Sequence, residues 1–203
     1  MKKLIYILAA AAAIAISAGT ADAQMGKKDY INIGWQFNGT VANSFVENAQ
    51  GYGAYIEGGY YLTPSFALGG FASFNTNNSY IPKQTYTFKD QSALTTDVDR
   101  SIYQVPFGLT MRTRFMRGEF QPYLGTKIGA EFSTQSTYMS TFVNRHDNWG
   151  FYMSPEIGFT YFPFEKTDLG FQLAMYYSFC TNKNSDYDLK GIKNLGFKLG
   201  IAF

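Results

Sequence analysis

The chain has 203 residues and a formal net charge of +2, which is room for one domain and too little basic excess for a nucleic-acid partner. Hydrophobic residues make up 46% and aromatics 18%, so it is not a disordered polar chain. Charged residues reach only 16%, below the roughly 25% usual in soluble domains, and a mean hydropathy of −0.17 argues against a bundle of membrane helices.

The first element is a targeting segment. "MKKLIYILAAAAAIAISAGTADAQ" carries Lys2 and Lys3, then an apolar run from Leu4 to Ala18. Ala21-Asp22-Ala23 fits a small-x-small cleavage site, so residues 1–23 read as a cleaved signal peptide and 24–203 as the mature domain. The alternative is a retained anchor helix, for which the apolar run is short. Past Ala23 no apolar stretch approaches the about 20 residues of a membrane helix.

From there the chain alternates with period two, the mark of strands with unlike faces. Ile31, Ile33, Trp35 and Phe37 oppose Asn32, Gly34, Gln36 and Asn38. Ala54, Ile56, Tyr60 and Leu62 oppose Tyr55, Glu57 and Gly59. After a turn at Thr63-Pro64-Ser65 come Phe66, Leu68 and Phe74. Tyr103, Val105, Phe107, Leu109 and Met111 oppose Gln104, Gly108, Thr110 and Arg112. Met116 to Glu119 turns the chain, and Phe120, Leu124, Ile128 and Phe132 oppose Gln121, Tyr123, Gly125, Lys127, Gly129 and Glu131. Phe151, Met153, Ile157, Phe159 and Tyr161 face away from Tyr152, Ser154, Glu156, Gly158 and Thr160. A turn over 163–167 leads to Leu169, Phe171, Leu173, Met175, Tyr177 and Phe179. "NLGFKLGIAF" closes the chain, with Leu195, Phe197, Leu199, Ile201 and Phe203 against Gly196, Lys198, Gly200 and Ala202.

This gives eight antiparallel strands of roughly ten residues in one meander, enough to close a barrel whose side chains fill it. Short turns alternate with four long polar connections, about 38–51, 75–100, 133–148 and 180–191. Within the second, "QTYTFKD" alternates, so a hairpin extending past the strands is expected there. A soluble barrel would hold its apolar face inside and coat its outside with charge. Here the polar faces are Gly, Ser, Thr, Gln and Tyr, which suit a narrow lumen. Aromatics gather at both strand ends: Tyr60, Phe66, Phe115, Phe120, Tyr161, Phe164 and Phe203 near the short turns, and Phe37, Phe74, Phe132, Trp149 and Phe179 near the long connections. Two such girdles anchor a barrel at bilayer interfaces. The fold class is therefore all-β, an eight-stranded antiparallel up-and-down transmembrane barrel with short periplasmic turns and longer extracellular loops.

The signal peptide, the strand pattern, phrases such as "GYYLTPSFALGGF" and "FQPYLGTKIGAEF", and the terminal Phe203 resemble the small outer-membrane β-barrel proteins of the OmpX and OmpA-transmembrane-domain type. The resemblance covers residues 29–203. It implies residence in the outer membrane among lipid and lipopolysaccharide. It also implies that the barrel-insertion machinery reads the last strand, with Phe203 as the assembly signal. Function is less constrained, since members serve as adhesins, lipid enzymes, assembly partners and passive barrels.

On this register Glu57, Arg112, Lys127, Glu131, Glu156 and Lys198 point into the lumen, with Tyr55, Tyr61, Tyr123, Tyr152 and Tyr176. Unpaired charges in a filled lumen are costly, so these side chains are expected to interlock and stop up the barrel. Glu57, Lys127, Glu156 and Lys198 fall at similar height, Arg112 lower and Glu131 higher. A wide pore needs about 16 strands, so little solute conductance is expected. No catalytic residue, metal site or cofactor is read from the sequence. His146 beside Asp147, with Ser136, Ser140 and Ser154 nearby, shows no triad spacing, and Asp97 with Asp99 is a weak metal pattern. Cys180, the lone cysteine, reads as a passive residue near a strand end. The reading is a non-enzymatic barrel, structural or presenting its loops to a protein partner. The alternatives are a lipid A-modifying enzyme and an accessory barrel of a larger complex.

Overall fold

The computed structural model describes residues 28–41, 46, 50–87, 93–139, 142–163, 169–182 and 191–203. The segment read as a signal peptide, with its expected cleavage site, lies outside the described residues, as do Phe164 and Ser140. Eight strands run in chain order: β1 Asp29–Thr40, β2 Gln50–Tyr61, β3 Phe66–Thr87, β4 Ala93–Arg114, β5 Phe120–Met139, β6 Phe142–Tyr161, β7 Gly170–Cys180 and β8 Ile192–Ala202. Each pairs antiparallel with the next, and β8 returns to β1 in a closed barrel. Closure satisfies every strand edge inside the bilayer, where water cannot.

The period-two pattern sets which face is which. In β1 the exposed Ile31, Ile33, Trp35 and Phe37 alternate with buried Asn32, Gly34, Gln36 and Asn38. In β7 Phe171, Leu173, Met175, Tyr177 and Phe179 face out between buried neighbours. In β8 Leu195, Phe197, Leu199, Ile201 and Phe203 do the same. The apolar faces form a continuous outer wall, the inverse of a soluble protein. Ring pairs line its upper rim, with Phe37 and Phe197 stacked at 5.2 Å, and Phe132 and Trp149 tilted at 5.2 Å.

The short turns are built by local chemistry. Thr63 N–H donates to the Phe66 carbonyl at 3.2 Å, and the Thr63 hydroxyl accepts from Phe66 N–H at 3.0 Å. In the turn after β4, Gly118 sits at φ +127°, a conformation that a side chain would strain. At the seam, Gly34 lies against the β8 backbone, where any Cβ would run into the Leu199 carbonyl and Gly200.

Strand length departs from the sequence reading. β3, β4, β5 and β6 are 20 to 22 residues long, about twice the expected length. The hairpin expected in the second long connection is present, pairing out to Thr87 and Ala93. The third connection, expected to be a polar loop, is also hairpin: β5 and β6 pair out to Met139 and Phe142. Since β4 pairs with β5 from Val98 and Met139 downward, the two hairpins form one four-stranded sheet above the membrane band. The reason is compositional. Residues 133–148 are polar, yet hold threonines with Tyr138, Phe142 and Val143, types that favour strands wherever both faces can be wet.

Candidate functional site

The strongest concentration of chemistry lies inside the barrel. Glu57 on β2, Lys127 on β5, Glu156 on β6 and Lys198 on β8 project into the lumen at one level, each almost fully buried. Lys127 Nζ pairs with a Glu57 carboxylate oxygen and lies 2.9 Å from Glu156 Oε2, while Lys198 Nζ lies 2.7 Å from that same oxygen. The result is a chain of alternating sign with two acids and two bases, neutral as a unit. Neutral donors fill the other oxygen of Glu57. Asn32 Nδ2 donates to Glu57 Oε1 at 2.8 Å, and Gln172 Nε2 donates to the same oxygen at 2.9 Å. Gln172 also donates to the Tyr123 hydroxyl and accepts from the Tyr55 hydroxyl at 2.7 Å. Burial makes such a network expensive unless every charge is matched, which this one is. Two glycines leave the room: a Cβ at Gly125 would come 2.8 Å from Glu156 Cγ, and one at Gly200 would overlap the Tyr55 hydroxyl.

An apolar layer closes the lumen above the ion pairs. Val46, Phe71, Ile102, Tyr152, Cys180 and Ile192 pack as one buried cluster, with Phe71 and Tyr152 rings 5.7 Å apart. Thr40 holds Val46 in place by donating its hydroxyl to the Val46 carbonyl at 2.8 Å. Glu131 sits at this upper level, fully buried and outside the ion-paired chain. It accepts from Gln104 Nε2 at 2.8 Å, and Gln104 in turn accepts from Asn77 and Asn194 at 3.1 and 3.0 Å. Of the six charges expected to interlock, four form the chain, while Glu131 belongs to this amide ladder. Cys180 ends β7, with its thiol donating to Asn182 Oδ1 at 2.8 Å.

Arg112 lies below the chain. Its guanidinium stacks 3.5 Å over the Tyr123 ring and 4.8 Å over Tyr30, and donates to Thr160 Oγ1 at 2.6 Å. Arg114, two residues on and therefore on the same face, stacks 3.7 Å over Tyr61 and donates through Nε to the Pro64 carbonyl at 2.8 Å. Sequence reading passed over Arg114, although its parity with Arg112 signals it. It also passed over Phe71, an aromatic on a polar face, and the lumen amides Gln172 and Asn77.

The candidate catalytic residues are dispersed. His146 and Asp147 are neighbours on β6 and so face opposite sides of the sheet. Asp147 Oδ1 accepts from Thr134 at 2.8 Å and from the exposed Arg145 at 3.4 Å. Ser136 pairs across from Arg145 on the outer face, while Ser154 is buried in the lumen, eight residues along β6 from His146 or about 26 Å at strand rise. Among the described residues no three His, Cys, Asp or Glu side chains gather as a metal-binding set.

Three solved structures are similar to this chain. Ail of Yersinia pestis, the attachment invasion locus protein, covers 88% of this chain and 100% of its own at 15% identity, with a TM-score of 0.47. The Neisserial surface protein NspA covers 86% and 95% at 12% identity and 0.49. OprG of Pseudomonas aeruginosa covers 86% and 94% at 15% identity and 0.47. None of the curated proteins matches the chain in sequence. The family model described as "Outer membrane protein beta-barrel domain" matches residues 7–203, nearly the whole chain. The chain therefore belongs to the outer membrane protein β-barrel domain family, and it resides in the cell outer membrane.

Proposed function

We propose that this is a non-enzymatic outer-membrane barrel that transports nothing through its lumen and acts through the sheet it raises above the membrane. The carrying observation is the contrast between the two parts. The lumen is stopped by the Glu57, Lys127, Glu156 and Lys198 chain below an apolar layer. The sheet of β3 to β6 continues past the upper aromatic girdle, from Phe74 out to Thr87 on β3 and from Phe132 and Trp149 out to Met139 and Phe142 on β5 and β6. Its outer face sets Tyr80 opposite Asp99, and Asp99 opposite Tyr138. Tyr80 donates to Asp97 Oδ2 at 3.3 Å, and the adjacent carboxylate holds its phenol above the usual range. Rigid aromatics among polar groups suit recognition of an extracellular protein partner. The scattered positions of His146, Asp147, Ser136 and Ser154 weigh against a hydrolase of lipid A.

Two assembly partners belong to the same reading. The outer wall takes membrane lipid and lipopolysaccharide. The C-terminal strand with Phe203 serves as the signal for the insertion machinery. Phe203 N–H donates to the Ile31 carbonyl at 2.8 Å and its carbonyl accepts from Ile31 at 3.2 Å, so the last residue joins the closing seam.

The test replaces Ser79 to Arg100 with an Asn-Gly turn, which joins Asn78 to its cross-strand partner Ser101 where β3 and β4 leave the barrel. The barrel is expected to assemble with wild-type yield and heat-modifiable mobility, while attachment of the cells to host or neighbouring surfaces is lost. Unchanged attachment by a correctly assembled variant refutes a role for this sheet.

A further inference from the structure

The Cys180 thiol on β7 and the Glu131 carboxyl group on β5 meet inside the upper barrel, 1% and 0% exposed. Gln104 donates to Glu131 Oε1 at 2.8 Å, whereas Oε2 is buried with no hydrogen-bond partner. Among the described residues no Lys, Arg or His lies within ion-pairing distance of this carboxylate. Lys127 and Lys198 are held by Glu57 and Glu156, and Gln104 and Cys180 are the side chains that act on Glu131. A buried acid left without a cation is costly.

A third donor is fixed against the pair. Asn182 Nδ2 donates to the Ser133 hydroxyl, and to the Glu131 and Asn148 carbonyls at 3.5 Å. With Nδ2 held on that side, Oδ1 turns to Cys180 and lies 2.8 Å from Sγ. Gly150, the cross-strand partner of Glu131, makes the room, because a Cβ there would overlap Asn182 Oδ1. A thiol sulfur, a carboxylate oxygen and an amide oxygen thus converge. Thiolate and carboxylate together carry two negative charges, which a divalent cation cancels, and a sulfur donor selects zinc over magnesium or calcium. We propose that Cys180 Sγ, Glu131 Oε2 and Asn182 Oδ1 form a binding site for a thiophilic divalent cation of the zinc class, with a fourth position for water. The ion takes the place of the thiol hydrogen between Sγ and Oδ1: the S–H bond breaks, the Sγ–metal bond forms, and the proton leaves to solvent. Ser133, Gln135 and Thr137 continue the inner face of β5 above the site as a buried polar run, and the ion-paired chain closes the periplasmic side, so the ion enters from the extracellular end.

The test uses the full-length chain refolded in lipid nanodiscs under reducing conditions and freed of metal with a chelator. Cadmium chloride is titrated in, and the ultraviolet charge-transfer band of a thiolate bound to cadmium is read, which carboxylates alone do not produce. The band is expected to saturate at one ion per chain, and zinc chloride is expected to displace it. Cys180→Ser should give no band. Glu131→Gln keeps the shape of the side chain and removes its charge, and it should weaken binding at least about tenfold. Glu119→Gln, in the exposed turn after β4, should leave binding unchanged. A second series refolds the chain with cadmium already present, so that barrel closure does not hide the site. Should Cys180→Ser fail to fold, the wild-type titration and Glu131→Gln decide the matter. No band in either series, a band that zinc does not displace, or wild-type affinity in Glu131→Gln overturns the proposal.

Discussion

Lys127 joins the two acids of the lumen, and its position fixes what its loss should do. Removing it by Lys127→Met leaves Glu57 with only neutral donors and Glu156 with only Lys198. Breaking a buried pair by deleting one partner typically costs about 3–5 kcal/mol, far more than an exposed pair such as Arg145 with Asp147 is worth. The urea midpoint of the folded barrel in lipid should fall markedly in Lys127→Met and stay within error in Arg145→Gln. Equal midpoints for Lys127→Met and wild type would mean that the ion pairs do not carry the interior. The inward parity of these charges was legible in the sequence, because one face of each strand is apolar and a one-residue slip would expose every charge to lipid. The neutral partner of each charge was less legible. Counting up from the short turns sets Glu57, Lys127, Glu156 and Lys198 level, with Arg112 lower and Glu131 higher, but it does not show that Glu131 meets Gln104 or that Arg112 stacks on tyrosines. Arg114 escaped notice because it abuts a turn, where parity is hardest to follow.

At the scale of elements, β8 does two jobs. Its apolar face completes the lipid-facing wall, and the residue that follows it, Phe203, bonds Ile31 across the seam. If Phe203 is the assembly signal, Phe203→Ala should reduce the amount of folded barrel in cells while refolding of the purified chain into lipid proceeds to the wild-type extent. A matching loss in both settings would assign Phe203 to packing alone. The long strands β3 to β6 show where sequence pattern stops being informative. Inside the bilayer, lipid enforces strict alternation. Above it both faces can be wet, so strand and polar loop read alike. Only "QTYTFKD" kept enough alternation to show a hairpin, whereas residues 133–148 look like a loop until backbone pairing is seen.

At the scale of the whole molecule, closure and filling depend on each other. The seam between β1 and β8 requires Gly34 against the Leu199 carbonyl, so Gly34→Val should prevent β1 from reaching β8 and leave the chain unfolded by heat-modifiable mobility. Normal mobility in that variant would show that the seam tolerates a wider spacing. Once closed, eight strands leave an interior that side chains can fill. Here ion pairs, tyrosines and an apolar layer occupy it from end to end. The most direct measurement of this account is single-channel recording of the folded full-length chain in planar bilayers. A flat baseline is expected across the voltage range, with no stable step. A long-lived, ohmic conductance from the intact eight-stranded barrel would contradict the filled lumen, and with it the assignment of function to the extracellular sheet.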